Sequence, residues 1–208
     1  MRRLIKPLIV ALGLLPLVWL AFAVLTGRAG ANPAEDIILT TGIWSLRFLL
    51  ASLAITPLRR LTGWNVLIQY RRMLGLFAFF YACVHLAGYL AFDRFFAFDE
   101  VFADLAKRPF ITAGMVAFAL MVPLAITSTR GWIRSLGRRW GLLHRLVYVS
   151  AVAAVIHYLW KVKADSTLPI RYALLLGVLL GLRLWWLRRR PGRPAGAVPA
   201  RAPVPDGL

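Results

Sequence analysis

Met73–Phe92 reads MLGLFAFFYACVHLAGYLAF, twenty residues with no acid, lysine or arginine and a single histidine, His85. A helix needs about 20 apolar residues to cross the hydrocarbon core of a bilayer. A second run, Leu146–Trp160 (LVYVSAVAAVIHYLW), repeats the pattern around His157, and the remaining histidine, His144, stands just before it. Working outward, Pro7–Leu25, Ile43–Leu58, Phe110–Ile126 and Ile170–Leu187 qualify as spans or nearly so. The expected architecture is an all-α membrane protein, a six-transmembrane-helix bundle over residues 1–187. A basic, Pro/Ala-rich tail over residues 188–208 is expected to be disordered and cytoplasmic. No second domain and no internal repeat is legible.

Composition agrees with the windows. Hydrophobic residues make up 60% of the chain and charged ones 16%, and the mean hydropathy is +0.70. Soluble domains average roughly 45–50% apolar and 25% charged. The net charge of +18 resembles a nucleic-acid signal until its distribution is examined. Basic residues gather at Arg2, Arg3 and Lys6, then at Arg59, Arg60, Arg71 and Arg72. They gather again from Arg130 to Arg145 and from Arg188 onward, so that 17 of 26 lie on one side of the six spans. The alternate loops hold Glu35, Asp36, Asp93, Asp99, Glu100, Asp104 and Asp165, seven of the eight acids. That alternation is what the positive-inside rule gives for six spans with both termini cytoplasmic. Topology accounts for the charge, and no nucleic acid is called for.

The N-terminus has a basic start, an apolar stretch and Ala29-Gly30-Ala31, all features of a secretory signal. Its apolar stretch nevertheless runs to about 19 residues, against the 7–15 of a signal core, so a retained first helix is expected. The lone Cys83 has no intrachain partner to form a disulfide and reads as a packing residue.

Depth separates the histidines. His85 and His157 each lie twelve residues beyond the basic boundary, about 18 Å of helical rise, so the two are level and toward the acidic-loop side. His144 lies about 20 Å lower, at the basic boundary. An ideal helix would not aim His144 and His157 at one side, unless a π-bulge intervened or His144 stood just outside the helix. Ionisable groups within a span are costly and mark function by default. Two level histidines on different helices form the axial pair that haem iron commonly takes. The alternative is an interhelical hydrogen bond. Ala82, Gly88, Ala153 and Ala154 share faces with the two rings, where they would admit a flat macrocycle or simply pack helices. For His144 an ordinary interfacial role stands beside a functional one.

Four stretches carry a resemblance: TGIWSLRFLLASLAITPLRR (41–60), YRRMLGL (70–76) followed by His85, AITSTR (125–130) and LGRRWGLLHRLVYVSAVAAVIHYLWKVK (136–163). Over about residues 30–187 the chain resembles the MsrQ family, haem-binding membrane subunits of bacterial periplasmic methionine-sulfoxide reductase systems. That family is related to the membrane domain of ferric reductases and NADPH oxidases. The resemblance implies a multi-pass protein of the bacterial inner membrane with a b-type haem and an associated FMN. It also implies electron flow from the quinol pool to a periplasmic molybdopterin enzyme that repairs oxidised methionines. The oxidase relatives carry two histidines on each of two helices, whereas a matching inner ligand here would fall at Arg72 or Arg71. Arginine is a poor iron ligand, so one haem at His85 and His157 is expected, with His144 unpaired.

Arg71 and Arg72 then have two readings, as ligands of the flavin phosphate or as positive-inside residues. Arg47 likewise either neutralises a haem propionate or snorkels to the surface. Ser128–Leu143 is basic with apolar residues at helical spacing and suggests an interfacial helix on the cytoplasmic leaflet. The loops 93–108 and 161–169 are expected to form the partner's docking face, with Asp99, Glu100 and Asp104 contributing charge. Two other classes remain open. One is a haem reductase of a small acceptor such as ferric iron, discriminated by whether a periplasmic partner co-purifies. The other is a transporter or assembly protein with structural histidines, discriminated by the absence of a Soret band. The spans hold no acid for ion coupling.

Overall fold

A computed structural model describes residues 2–163 and 165–189, all helix and connecting turn. The helices are α1 (Arg2–Leu25), α2 (Pro33–Thr62), α3 (Ile68–Gly88), α4 (Phe98–Lys107), α5 (Pro109–Ile126), α6 (Arg130–Leu136), α7 (Arg138–Leu143), α8 (Leu146–Lys161) and α9 (Thr167–Arg188). Six helical stretches are long and apolar enough to span a membrane, built on α1, α2, α3, α5, α8 and α9. The expected tail lies outside the described residues, apart from Arg188 and Arg189.

Local chemistry sets the helix ends. Asn32 caps α2 by accepting from the Glu35 N–H at 3.3 Å, Pro33 opens the helix, and Glu35 and Asp36 sit in its first turn. An open N-terminus favours negative charge. At the far end Gly63 takes a left-handed φ of 74° and closes onto the Arg59 carbonyl, the glycine cap that needs no Cβ. The sequence window for this span began at Ile43, but α2 starts ten residues earlier. Glu35 and Asp36 interrupt the apolar run without interrupting the helix, because charges are welcome in a first turn. Similarly, α3 begins at Ile68 rather than Met73, after a 3-10 turn over Asn65–Leu67. It ends in a π-helical turn, Tyr89–Asp93. The single interfacial helix expected over Ser128–Leu143 is instead two short helices. Gly137, with φ of 48°, breaks α6 from α7.

The bundle is built from two antiparallel hairpins, α2 with α3 and α5 with α8, facing one another across a core of Leu46, Leu49, Leu53, Ala78, Met121 and Val155. Helix α9 closes one side through Leu176 and Leu179. Helix α1 is held on the outside, where the buried Tyr81 hydroxyl donates to the Gly13 carbonyl at 2.8 Å. Leu8, Leu15, Val18 and Trp19 of α1 stay more than half exposed. In a bilayer this is no penalty, because lipid tails are as apolar as leucine.

The two hairpins share one register, although no repeat is legible in the sequence. In the first, the Ser45 hydroxyl of α2 donates to the Ala78 carbonyl of α3 at 2.9 Å. In the second, the Ser150 hydroxyl of α8 donates to the Ala117 carbonyl of α5, also at 2.9 Å. An offset of 72 residues maps Ser45 onto Ala117 and Ala78 onto Ser150, with donor and acceptor helices exchanged. Few identities survive at that offset, chiefly Thr40, Gly42 and His85 against Thr112, Gly114 and His157. A bilayer core accepts any apolar residue of the right volume, so geometry persists where identity does not.

Candidate functional site

Seven residues beyond each serine rung, two helical turns along the same face, stands a histidine rung. His85 Nδ1 lies 2.8 Å from the Ile38 carbonyl of α2, and His157 Nδ1 lies 2.6 Å from the Phe110 carbonyl of α5. Each pair is separated by 47 residues in sequence. A carbonyl only accepts, so both Nδ1 atoms carry the proton and donate. That assigns the lone pair of each ring to Nε2, the tautomer a metal-ligating histidine needs.

The two rings come together as the depth argument expected. Their centroids are 6.0 Å apart and their planes cross at 78°. Two metal–nitrogen bonds of about 2 Å each, plus the two ring radii, span about the same distance. The rings border a cavity of about 450 Å³ between the hairpins, within the roughly 300–1,000 Å³ of ordinary cofactor sites. Its walls are apolar, including Leu46, Leu49, Ala82, Phe118, Met121 and Ala154. Its mouth, at the acidic-loop end, is polar and carries Glu35, Asp93, Arg108 and Lys161. Among the described residues no group of three or more His, Cys, Asp or Glu side chains could hold a metal ion.

Of the small residues expected beside the rings, Ala82 and Ala154 line the cavity and Ala153 does not. Gly88 packs a helix instead: a Cβ there would meet Ile38 Cγ1 at 3.2 Å. The sequence reading missed the glycines that matter most, which sit on the opposite helices. A Cβ at Gly42 would lie 2.9 Å from His85 Nδ1, and one at Gly114 would lie 2.7 Å from His157 Nδ1. It also missed Arg108 and Lys161, the cations at the mouth. The recurring Thr-x-Gly of residues 40–42 and 112–114 was the available signal.

The other candidates lie away from this cavity. Arg47 sits fourteen residues into α2, is exposed, and does not line the cavity. Its Nε donates to the Tyr172 hydroxyl at 2.8 Å, and its guanidinium stacks over Trp44 at 4.7 Å. Arg71 and Arg72 open α3 at the basic end, Arg71 half-buried and Arg72 exposed. Arg71 is close enough to His144 and to Arg183 to act on both electrostatically. His144 stands in the turn between α7 and α8, just outside the helix, with its ring stacked on Trp140 at 3.8 Å. Its Nδ1 lies 3.1 Å from the Trp140 carbonyl, and its Nε2 is buried with no partner among the described residues.

One expected docking residue is corrected. Asp104 is 7% exposed and faces inward. It accepts from the Tyr89 hydroxyl and from Arg94 Nε, each at 2.6 Å, and pairs with Arg108 at 3.1 Å. Helix α4 hides Asp104 because positions 101 and 104 fall on its packed side, while Phe98 and Phe102 face out. Asp99 and Glu100 remain exposed.

Residues 41–155 match the family described as "Ferric reductase like transmembrane component". Three proteins, each called "Protein-methionine-sulfoxide reductase heme-binding subunit MsrQ", are similar over most of the chain. The protein from Herminiimonas arsenicoxydans is 53% identical over 186 residues, covering 88% of this chain and 85% of its own. That from Rhodospirillum rubrum is 53% identical over 183 residues, covering 86% and 88%. That from Xanthomonas euvesicatoria pv. vesicatoria is 55% identical over 156 residues, covering 75% and 72%. No solved structure matches the chain. With six spans, two facing hairpins and identity of this extent, the chain is a multi-pass protein of the bacterial inner membrane and belongs to the MsrQ family of ferric-reductase-like membrane subunits.

Proposed function

We propose that the chain is the haem-binding electron-transfer subunit of a methionine sulfoxide reductase system, with His85 and His157 as the two axial ligands of one b-type haem. The observation that carries this reading is the pair of rings itself. Their Nε2 lone pairs are freed by Nδ1 bonds to carbonyls, their centroids are 6.0 Å apart, and they border one apolar cavity. Bound there, the haem supplies one-electron redox chemistry, which the protein tunes through its axial ligands and their hydrogen bonds. Arg108 and Lys161 at the mouth are the cations suited to its propionates. The apolar walls exclude water from the macrocycle.

The finer assignments are part of the same proposal. Electrons enter from the quinone pool at the basic, cytoplasmic end, and both termini lie on that side. They leave at the acidic end for a periplasmic molybdopterin-containing methionine sulfoxide reductase, which docks on loops 93–108 and 161–169 through Asp99 and Glu100. From the start of α8, beside His144, to His157 is about 17 Å of helical rise, so an inner relay is needed. FMN fills that role, with Arg71 and Arg72 as candidates for its phosphate and His144 beside it.

The test is an absorption spectrum with haem and flavin quantified per chain, for the purified protein and for His85→Ala and His157→Ala. The expected result is one low-spin haem per chain in the parent and a severe loss in each variant, with insertion intact. Full haem with an unchanged low-spin spectrum in either variant would refute the ligand pair. Haem without any co-purifying periplasmic partner would favour reduction of a small acceptor.

A further inference from the structure

The two histidine rungs share one construction. A carbonyl sits at position i of one helix of each hairpin (Ile38 of α2, Phe110 of α5), a glycine at i+4 (Gly42, Gly114), and the imidazole of the other helix lies over the glycine with Nδ1 bonded to that carbonyl. Neither glycine has a positive φ, so backbone freedom does not explain them. Space does. A Cβ at either site would fall under 3.0 Å from the ring, a contact that forces the imidazole to move. By contrast, a Cβ at Gly75, on α3 itself, would meet nothing within 4 Å. The serine rung seven residues away ties the two helices of each hairpin together and so opposes their parting to make room.

We propose that Gly42 and Gly114 are positioning residues that seat the two axial imidazoles, fixing both the Nδ1–carbonyl bonds and the near-perpendicular crossing of the rings. The proposal rests on the ligand assignment above. Its physical content is twofold. A carbonyl accepting from Nδ1–H raises the basicity of the ligand and so favours the oxidised iron. Losing or lengthening that bond shifts the midpoint potential upward. With haem held between them, rings crossed at 78° would also keep the two π-symmetry orbitals of ferric iron close in energy, which would give a strongly anisotropic low-spin resonance. Rings rotated toward parallel would split those orbitals and reduce the anisotropy.

The experiment uses the full-length haem protein in detergent or nanodiscs, with Gly42→Ala, Gly114→Ala and the control Gly75→Ala. Haem per chain, the ferric electron paramagnetic resonance spectrum and the midpoint potential are measured for each. Gly75→Ala is expected to match the parent in all three. Gly42→Ala and Gly114→Ala are expected to show a less anisotropic signal and a higher potential. Unchanged spectra and potentials in both glycine variants would overturn the proposal, although the parent's own histidine-ligated haem would leave the ligand reading intact. A parent without haem would instead sink that reading.

Should Gly42→Ala lose its haem outright, the double variant His85→Gly/Gly42→Ala with free imidazole decides the matter. An untethered ring can shift away from the new methyl group. Haem recovery matching that of His85→Gly with imidazole supports a seat that merely needs space, and no recovery overturns it in favour of a general packing defect.

Discussion

Replacing Asp104 by Asn keeps the side-chain volume and one acceptor oxygen while removing the charge that organises the acidic-loop end. In the parent, this 7% exposed carboxylate takes hydrogen bonds from Tyr89 and Arg94 at 2.6 Å each, and pairs with Arg108 at 3.1 Å. Hydrogen bonds to charged groups contribute about 1.5–3 kcal/mol each. The Arg108 side chain is 46% exposed, and solvent-screened pairs of that kind contribute close to nothing. Arg94 is only 14% exposed and keeps a second, weaker partner in Glu100 at 3.3 Å. The loss therefore falls mainly on the Arg94 contact and part of the Tyr89 contact, about 2–3 kcal/mol of local stability. Opening of α4 should become roughly 30–150-fold more frequent, at about 1.4 kcal/mol per tenfold, and amide hydrogen exchange across α4 reads this directly.

The pH dependence carries a sign. Burial raises the carboxyl of Asp104, but the hydrogen bonds from Tyr89 and Arg94 and the charges of Arg108 and Arg94 outweigh it, so its pKa falls below the ordinary value. A depressed carboxylate stabilises the fold above its unfolded pKa of about 3.9 and loses that contribution as pH falls through its lower folded value. Protection of α4 in the parent should thus hold from neutrality down to about pH 4 and decline only below it. The Asn variant should lack this acid step. Exchange accelerated less than threefold, or an acid step surviving in the variant, would show that the cluster does not hold α4 in place.

Two further outcomes follow from the bundle. Ser45→Ala and Ser150→Ala each remove one hydroxyl-to-carbonyl bond from a different hairpin, and each should cost about 0.5–1.5 kcal/mol in thermal unfolding. The double variant should be close to additive, since the sites share no partner; strong coupling would refute two independent hairpins. Arg47→Gln should retain the parent's full haem content, because Arg47 is spent on Tyr172 and Trp44 and lies off the cavity. Haem loss in that variant would return Arg47 to the propionates.

The division between sequence and tertiary structure follows from what each contact depends on. Six spans and the level placement of His85 and His157 were readable, because hydrocarbon thickness sets span length and helical rise converts residue count into depth. Apolar runs, however, report where lipid or core is tolerated rather than where hydrogen bonding begins. The first ten residues of α2 and the first five of α3 were therefore invisible. Asp104 read as surface charge because an acid in a polar loop carries no mark of its partners, and only the fold of α4 brings Tyr89, Arg94 and Arg108 around it. The pairing of His85 with the Ile38 carbonyl, and of His157 with that of Phe110, was likewise beyond reach. So was the identity of Gly42 and Gly114 as their seats. Those contacts join residues 47 positions apart, and a glycine looks the same in sequence whether it packs a helix, ends one, or makes room for a ring. The chemistry of the site was written in the histidines; the shape that lets two of them face each other exists only once the hairpins are paired.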